Sequence, residues 1–375
     1  MDMNREIRAR RLVAQHLAGS AARPSTAGPV EVLRELLALR ARRFWPGVNA
    51  LAERAGCRPE DVLDEVRAGH IARTRTGWGS PVLVAAEDAR WLSATLTSAG
   101  AHLADLARAR LLDLDAADIE TARGVLLAEL RERPFADPLH SAEAFALLAE
   151  HGVDPDGGRG PHLLTMLSRE PEVVCGATRR EATYARVDSL PVAQRELAGD
   201  AALAELAARF LRSHGPADAA DLAWWAGLSP AVAAHAVDAA EGVVPFSPAQ
   251  DETTADVACE VTLGGSVTVT GADAACEAAP GFEAGVRRGR WMADWQTEVT
   301  SGEIKRALRR TVVLPAVDEY VHGYADTSLV LGEAGRPEAF YGERGVPAAP
   351  ANAGLPAEIF GQLTVAHGEV VSPAA

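Results

Sequence analysis

The stretch RPEDVLDEVRAGHIARTRTGWGSPVLVAA, residues 58–86, decides the fold. Pro59 and the acids that follow it favour the first turn of a helix, and Gly69 is a typical helix stop. The runs HIARTRT and SPVLVAA then alternate or are apolar on the two sides of a glycine-containing turn, which predicts a β-hairpin. A helix followed by a hairpin is the order of elements in a winged-helix unit.

The segment before this stretch predicts a preceding helix over residues 29–43, PVEVLRELLALRARR. Pro29 suits the first helical position, and Glu31 suits the positive end of the helix dipole. Apolar residues recur with helical spacing, and three arginines stand at the negative end. We therefore assign residues 1–112 to a first winged helix with additional N-terminal helices.

The same order of elements recurs twice. Helices are predicted at 116–132, 141–151 and 158–170, and two strands within 172–187, which gives a second winged helix at 113–195. Three further helices and a short strand within 200–247 indicate a third winged helix at 196–250.

The remaining segments have a different character. Residues 251–309 are rich in Gly and Thr at their start and are predicted to be an insertion, and residues 310–375 are predicted to form a C-terminal β-rich domain. The predicted fold class is α+β, mainly α, with tandem winged-helix domains followed by that small β-rich domain.

Composition limits the class of protein. Only one of the 37 basic residues is a lysine, and Ala, Gly and Pro are abundant, which is typical of a GC-rich genome and favours an actinobacterial source. No apolar run is long enough for a transmembrane helix, and the N-terminus has no apolar signal core. We expect a cytoplasmic protein without a membrane partner. Four cysteines without CxxC spacing predict neither a metal site nor a cofactor.

The formal charge of −15 matters for any nucleic-acid partner, because an acidic chain needs a local basic face to bind phosphates. Residues 1–50 contain nine arginines and four acids, a local net charge of +5. Two interpretations stay open: a DNA-binding face, or a solvated helix face with a frayed terminus.

Four segments carry a resemblance to a known family; in chain order they are residues 71–92, 157–170, 210–228 and 314–328. Together the chain resembles the bacterial winged-helix DNA glycosylases, the AlkZ-like and YcaQ-like proteins. The resemblance implies a β-rich domain after tandem winged helices and duplex DNA as the partner. It also implies removal of alkylated purines and unhooking of crosslinks, often as self-resistance to a genotoxic natural product.

The sequence departs from the family at its catalytic motif, Gln-apolar-Gln or Gln-apolar-Asp. The corresponding positions, at the end of the predicted helix, are Arg40-Ala41-Arg42. Arginine is permanently cationic, cannot accept a hydrogen bond, and would repel both a cationic base and a developing oxocarbenium ion. In the hairpin, Trp78 and Val82 stand where relatives have Arg and His.

Candidate site residues follow from the resemblance and from residue chemistry. The catalytic candidates are Arg40, Arg42, Asp318 and Glu319, where paired acids could hold water or split their pKa values. The substrate- or DNA-binding candidates are Arg43, Trp45, Arg73, Arg75, Trp78, Ser80, His162, Tyr320 and Tyr324. Each has a structural alternative: a polar network pinning the β-rich domain for the 318–326 cluster, helix packing for His162, and core packing for Trp45.

Three functions stay open. The first is a DNA-binding protein of the glycosylase family for repair of, or self-resistance to, alkylated or crosslinked DNA, with or without glycosylase activity. The alternative is a scaffold recruited as a natural-product biosynthetic enzyme or small-molecule binder, in which Arg40 and Arg42 grip an anionic ligand. The third is a non-catalytic binder, either a sequestering protein for a drug or a transcription factor.

Overall fold

The computed structural model describes residues 2–23, 28–76, 80–96, 99–177, 182–247, 289–315, 317–331 and 362–374. The helices are α1 (Met3–Ala14), α2 (Pro29–Leu36), α3 (Phe44–Ala55), α4 (Pro59–Arg67), α5 (Ala89–Thr95), α6 (Ala99–Leu111), α7 (Ala116–Glu132), α8 (Ser141–Glu150), α9 (Arg159–Leu167), α10 (Gly199–His214), α11 (Ala219–Ala226), α12 (Pro230–Asp238), α13 (Ser301–Arg309), α14 (Glu319–His322) and α15 (Ser328–Leu331). The strands are β1 (Leu39–Arg40), β2 (Ile71–Thr76), β3 (Ser80–Ala85), β4 (Leu139–His140), β5 (Val173–Ala177), β6 (Ala182–Arg186), β7 (Val243–Pro245), β8 (Trp291–Ala293), β9 (Thr311–Pro315), β10 (Gln362–Ala366) and β11 (Glu369–Ala374). The α+β, mainly α class is confirmed.

The prediction of one helix over 29–43 is wrong. Helix α2 ends at Leu36, and Leu37 adopts a left-handed φ of 72° that turns the chain into strand β1. Residues 36–39 are all fully buried, and they divide between two apolar cores. A helix with one solvated face cannot bury four consecutive residues, so the helix ends at Leu36 and the short segment that leads to β1 is buried on both sides. Helix α3, which the sequence analysis missed, then begins at Phe44.

The hairpins of the first two winged-helix units join into one sheet. Strands β2 and β3 pair antiparallel, as predicted, and β5 and β6 form the second predicted hairpin. The six strands have the order β1-β3-β2-β5-β6-β4, and Arg73 faces Cys175 where the two hairpins meet. The sheet therefore ties the two units together.

The C-terminal part of the chain packs against its beginning. Strands β9, β10 and β11 form a three-stranded antiparallel sheet, as expected of a small β-rich domain. One apolar core contains residues of α1, α13 and this sheet, including Leu12, Leu308 and Leu314. Helix α14 adds Tyr320 and Val321 to this core, and Glu319 at its start contacts strand β1 and helices α10 and α11.

The domain boundaries stay a prediction. Strand β7 of the predicted third winged helix pairs with β8, which falls within the predicted insertion. Residues 251–288 of that insertion lie outside the described residues. None of the described helices is both long enough and apolar enough to cross a membrane.

Candidate functional site

Glu319, at the start of α14, is the centre of a buried polar cluster. Its side chain has no exposed surface. The backbone N–H of Arg40 donates to Oε2 at 3.0 Å, and the His214 Nε2 and Trp225 Nε1 groups donate to Oε1 at 3.1 and 2.5 Å. Strand β1 and helices α10, α11 and α14 therefore converge on one carboxylate.

Arg40, which the resemblance places at the family's first glutamine position, faces Glu319. Its guanidinium Nε lies 3.6 Å from Glu319 Oε1, and its side chain is 12% exposed. Burial by itself raises the pKa of Glu319. The charge of Arg40 and the hydrogen bonds from His214 and Trp225 outweigh this effect and lower that pKa to about 2. Glu319 is thus ionised at neutral pH and compensates the charge that Arg40 brings to this position.

The neighbouring acid, Asp318, forms a second buried ion pair. Its two oxygens accept hydrogen bonds from Arg54 at 2.6 and 3.0 Å, and neither side chain is exposed. Asp318 Oδ1 also accepts from the Tyr320 backbone N–H at 2.9 Å and so caps α14. The two candidate catalytic acids are engaged by protein groups and face no solvent.

Tyr320 and Tyr324, predicted to bind substrate or DNA, are fully buried. The Tyr320 hydroxyl donates to the Gly368 carbonyl at 2.9 Å, and the Tyr324 hydroxyl donates to the His214 carbonyl at 3.0 Å. Burial raises the pKa of both phenols. In this structure they join the C-terminal elements to the rest of the fold, and a role in binding substrate or DNA stays a prediction.

Arg42, Arg43 and Trp45 form an exposed group, called here the arginine edge, directly after strand β1. All three side chains are exposed, Trp45 to 39%. Arg73 fixes the backbone next to these residues, because its Nη2 group donates to the carbonyls of Ala41 at 2.9 Å and Arg42 at 3.2 Å. The structure thus brings Arg73 together with the predicted motif segment.

The other candidates lie apart from this segment. The half-buried Arg75 donates from Nε to the Ser168 hydroxyl. His162 is buried in α9, and its Nε2–H donates to the Asp105 carbonyl at 3.0 Å, which matches the helix-packing interpretation. Ser80 begins strand β3 and pairs with Thr76. Trp78 lies outside the described residues.

The expected basic face of residues 1–50 is only partly a surface. Arg8, Arg10 and Arg11 are buried, with exposed fractions of 9%, 7% and 1%. Arg10 binds Glu6 at 2.9 Å, and Arg11 donates to the Pro216 carbonyl at 2.9 Å. These three arginines form neither a DNA-binding face nor a solvated helix face, because α1 packs in the interior of the fold.

Sequence analysis missed three members of the buried cluster, His214, Trp225 and Arg54. Trp225 is 4% exposed, and its indole N–H donates to Glu319. Arg54 could have been recognised as a buried charge that needs an acidic partner, since it stands among the apolar residues of α3. Across the described ranges no three His, Cys or carboxylate side chains come together as a metal site requires.

Two winged-helix units with a shared sheet, a third helical unit and a small C-terminal sheet define a tandem winged-helix protein. The family model described as "DNA glycosylase AlkZ-like" matches residues 33–357. The chain belongs to the AlkZ-like DNA glycosylase family.

The structure is similar to that of Streptomyces sahachiroi DNA glycosylase AlkZ. The TM-score is 0.57 at 15% sequence identity, over 98% of this chain and 86% of that one. This likeness is one of fold. No curated protein matches the sequence.

Proposed function

We propose that this protein binds duplex DNA through the arginine edge and acts in repair of, or self-resistance to, alkylated or crosslinked DNA. The observation that carries the proposal is the exposure of Arg42, Arg43 and Trp45 side by side in a chain with a net charge of −15. Family membership supports DNA as the partner.

The chemistry of the arginine edge suits this partner. Exposed arginines neutralise phosphates and release counterions, which supplies most of the affinity of non-specific DNA binding. An exposed indole offers a stacking surface for a base. Because Arg73 fixes the carbonyls of Ala41 and Arg42, the segment is already ordered before DNA arrives. Less conformational entropy is then lost on binding.

We further propose that the protein does not cleave the glycosidic bond by the family's glutamine chemistry. Arg40 cannot accept a hydrogen bond from water, and its guanidinium is drawn toward buried Glu319. Glu319 cannot replace the missing groups, since it is ionised, fully buried and engaged by three donors. The same engagement leaves Arg40 a poor anchor for an anionic small molecule, and so we do not extend the proposal to a ligand there. Self-resistance and an actinobacterial source stay predictions from the sequence.

Binding and base release can be measured together at about 50 mM salt, where phosphate contacts are strong. The probes are a fluorescent plain duplex and the same duplex carrying N7-methylguanine, with free base quantified by chromatography. We expect saturable binding to both duplexes and no methylguanine above the protein-free rate. Failure to bind either duplex would remove the DNA proposal, and release of methylguanine would contradict the absence of hydrolysis.

A further inference from the structure

A cavity of about 520 Å³ lies between α5 and α6 of the first winged-helix unit and α7 and α9 of the second. Its apolar wall includes Leu96, Ile119, Leu126, Leu163, Met166 and Leu167. The cavity opens to solvent, because Ala94, His102 and Glu120 of its lining are exposed. The volume is that of a site for a drug-sized molecule, and such sites occur preferentially between domains.

The charged residues around the cavity compensate one another. Arg169 pairs with Asp105 at 2.5 Å, and Arg123 pairs with Glu170 at 2.8 Å. Arg75 and Glu120 complete a lining of three arginines and three carboxylates, with a formal charge of zero. A charged ligand would lose its hydration here without meeting an uncompensated partner. The lining therefore favours a neutral occupant.

We propose that this cavity binds a neutral, largely apolar organic molecule. The site is separate from the arginine edge, because Arg42, Arg43 and Trp45 are not among its lining residues. Strand β2 links the two places: Arg73 supports the arginine edge, and Arg75, two residues further along, lines the cavity. The inference goes beyond the proposed DNA function and does not depend on it.

Two fluorescent probes with one skeleton test the chemistry. N-phenyl-1-naphthylamine is neutral, and 1-anilinonaphthalene-8-sulfonate adds one negative charge. We expect saturable one-to-one binding of the neutral probe to the full chain and at least about tenfold weaker binding of the sulfonate. Equal affinity for the two probes would overturn the assignment of a neutral ligand, and absence of saturable binding would overturn the site.

Substitutions locate the binding. A94W adds a large ring at Ala94, an exposed lining residue of α5. M166W replaces Met166, a half-buried lining residue of α9, with a larger side chain that fills the cavity. A104W makes the same change as A94W at an exposed alanine of α6 that does not line the cavity. We expect both lining variants to bind the neutral probe at least about tenfold more weakly than wild type, and A104W to bind it with unchanged affinity. A94W keeps the test valid if M166W does not fold.

Unchanged binding in A94W would place the probe elsewhere and contradict the proposal. Duplex DNA is then added to the complex of wild-type protein and neutral probe, which separates this inference from the DNA function. We expect the probe to stay bound. Stoichiometric displacement of the probe by DNA would assign the cavity to the DNA interface instead.

Discussion

Arg40 and Arg42 are two residues apart and have opposite environments. Arg40 is 12% exposed and faces a fully buried carboxylate, whereas Arg42 is exposed beside Arg43 and Trp45. Residues 36–39 are fully buried and strand β1 ends at Arg40, so the chain runs from the interior to the surface, which it reaches at Arg42. The comparison teaches that the number of arginines in a sequence segment does not tell which of them lie on the surface. The buried cluster around Glu319 joins distant elements of the fold, and the arginine edge is the surface where we propose that DNA binds.

The largest effect is expected in the buried region, at Asp318. D318A would leave Arg54 charged and without exposure to water, and breaking a buried pair in this way costs about 3–5 kcal/mol. Urea unfolding measures the loss. D64A is the matched control: its pair with Arg67 is about 70% exposed on both sides, and such pairs contribute less than about 1 kcal/mol. Equal losses in the two variants would contradict the distinction between the regions.

The pH dependence of stability isolates Glu319. A carboxyl whose folded pKa is lowered contributes stability that is complete above its unfolded pKa and is lost as pH falls through the folded value. With 4.5 as the ordinary pKa and about 2 in the fold, E319Q should be less stable than wild type by about 3 kcal/mol near neutral pH.

The difference between wild type and E319Q should shrink as the pH falls from about 4.5 to about 2. Glu303 has a pKa of about 2 as well, held there first by backbone hydrogen bonds, and it titrates in both proteins. Subtracting one unfolding curve from the other therefore removes its contribution. A difference that is independent of pH down to pH 2 would contradict the ionised state of Glu319.

The exposed region is expected to affect DNA binding and not stability. R42A/R43A should lose on the order of 50-fold in duplex affinity at 0.1 M salt, because each lost phosphate contact removes about 0.9 logarithmic units there. K305A/R309A removes the same charge from exposed positions of α13 and serves as the control. Its affinity should change much less, and a loss equal to that of R42A/R43A would show that net charge alone decides binding.

The smallest expected effect is a gain of function at the motif positions. R40Q/R42Q places glutamine at the two positions that the resemblance assigns to the family's motif, and we expect methylguanine release at least about tenfold above wild type, since one correctly placed polar group contributes this much or more. The wild-type protein on the same substrate is the control. No gain would mean that residues beyond the motif also prevent the chemistry.

Much of the fold could be predicted from the sequence. The two hairpins and helices such as α7 carry clear periodicity and clear end signals, and the structure places them where the patterns predict. The segment at residues 36–47 could not be predicted in this way. Its leucines suit a helix, and only burial on both sides selects a strand there. The left-handed Leu37 is likewise set by tertiary packing, since leucine rarely adopts that conformation by itself.

Less of the candidate site could be predicted. Asp318 and Glu319 were identified as a polar cluster, but their partners come from segments far away in the chain: Arg54, His214 and Trp225. No local pattern links these positions, because the contacts arise when the C-terminal elements close on α1, α3 and α10. The buried arginines of α1 were misjudged for the same reason.

The most direct test of the account is the salt dependence of duplex binding, measured side by side for wild type and R42A/R43A. If the arginine edge contacts phosphates, log K falls steeply with log salt concentration in wild type, and the slope is shallower by about 2 in the double variant. Parallel slopes for the two proteins, or wild-type binding that does not respond to salt, would contradict the claim that these exposed arginines meet DNA.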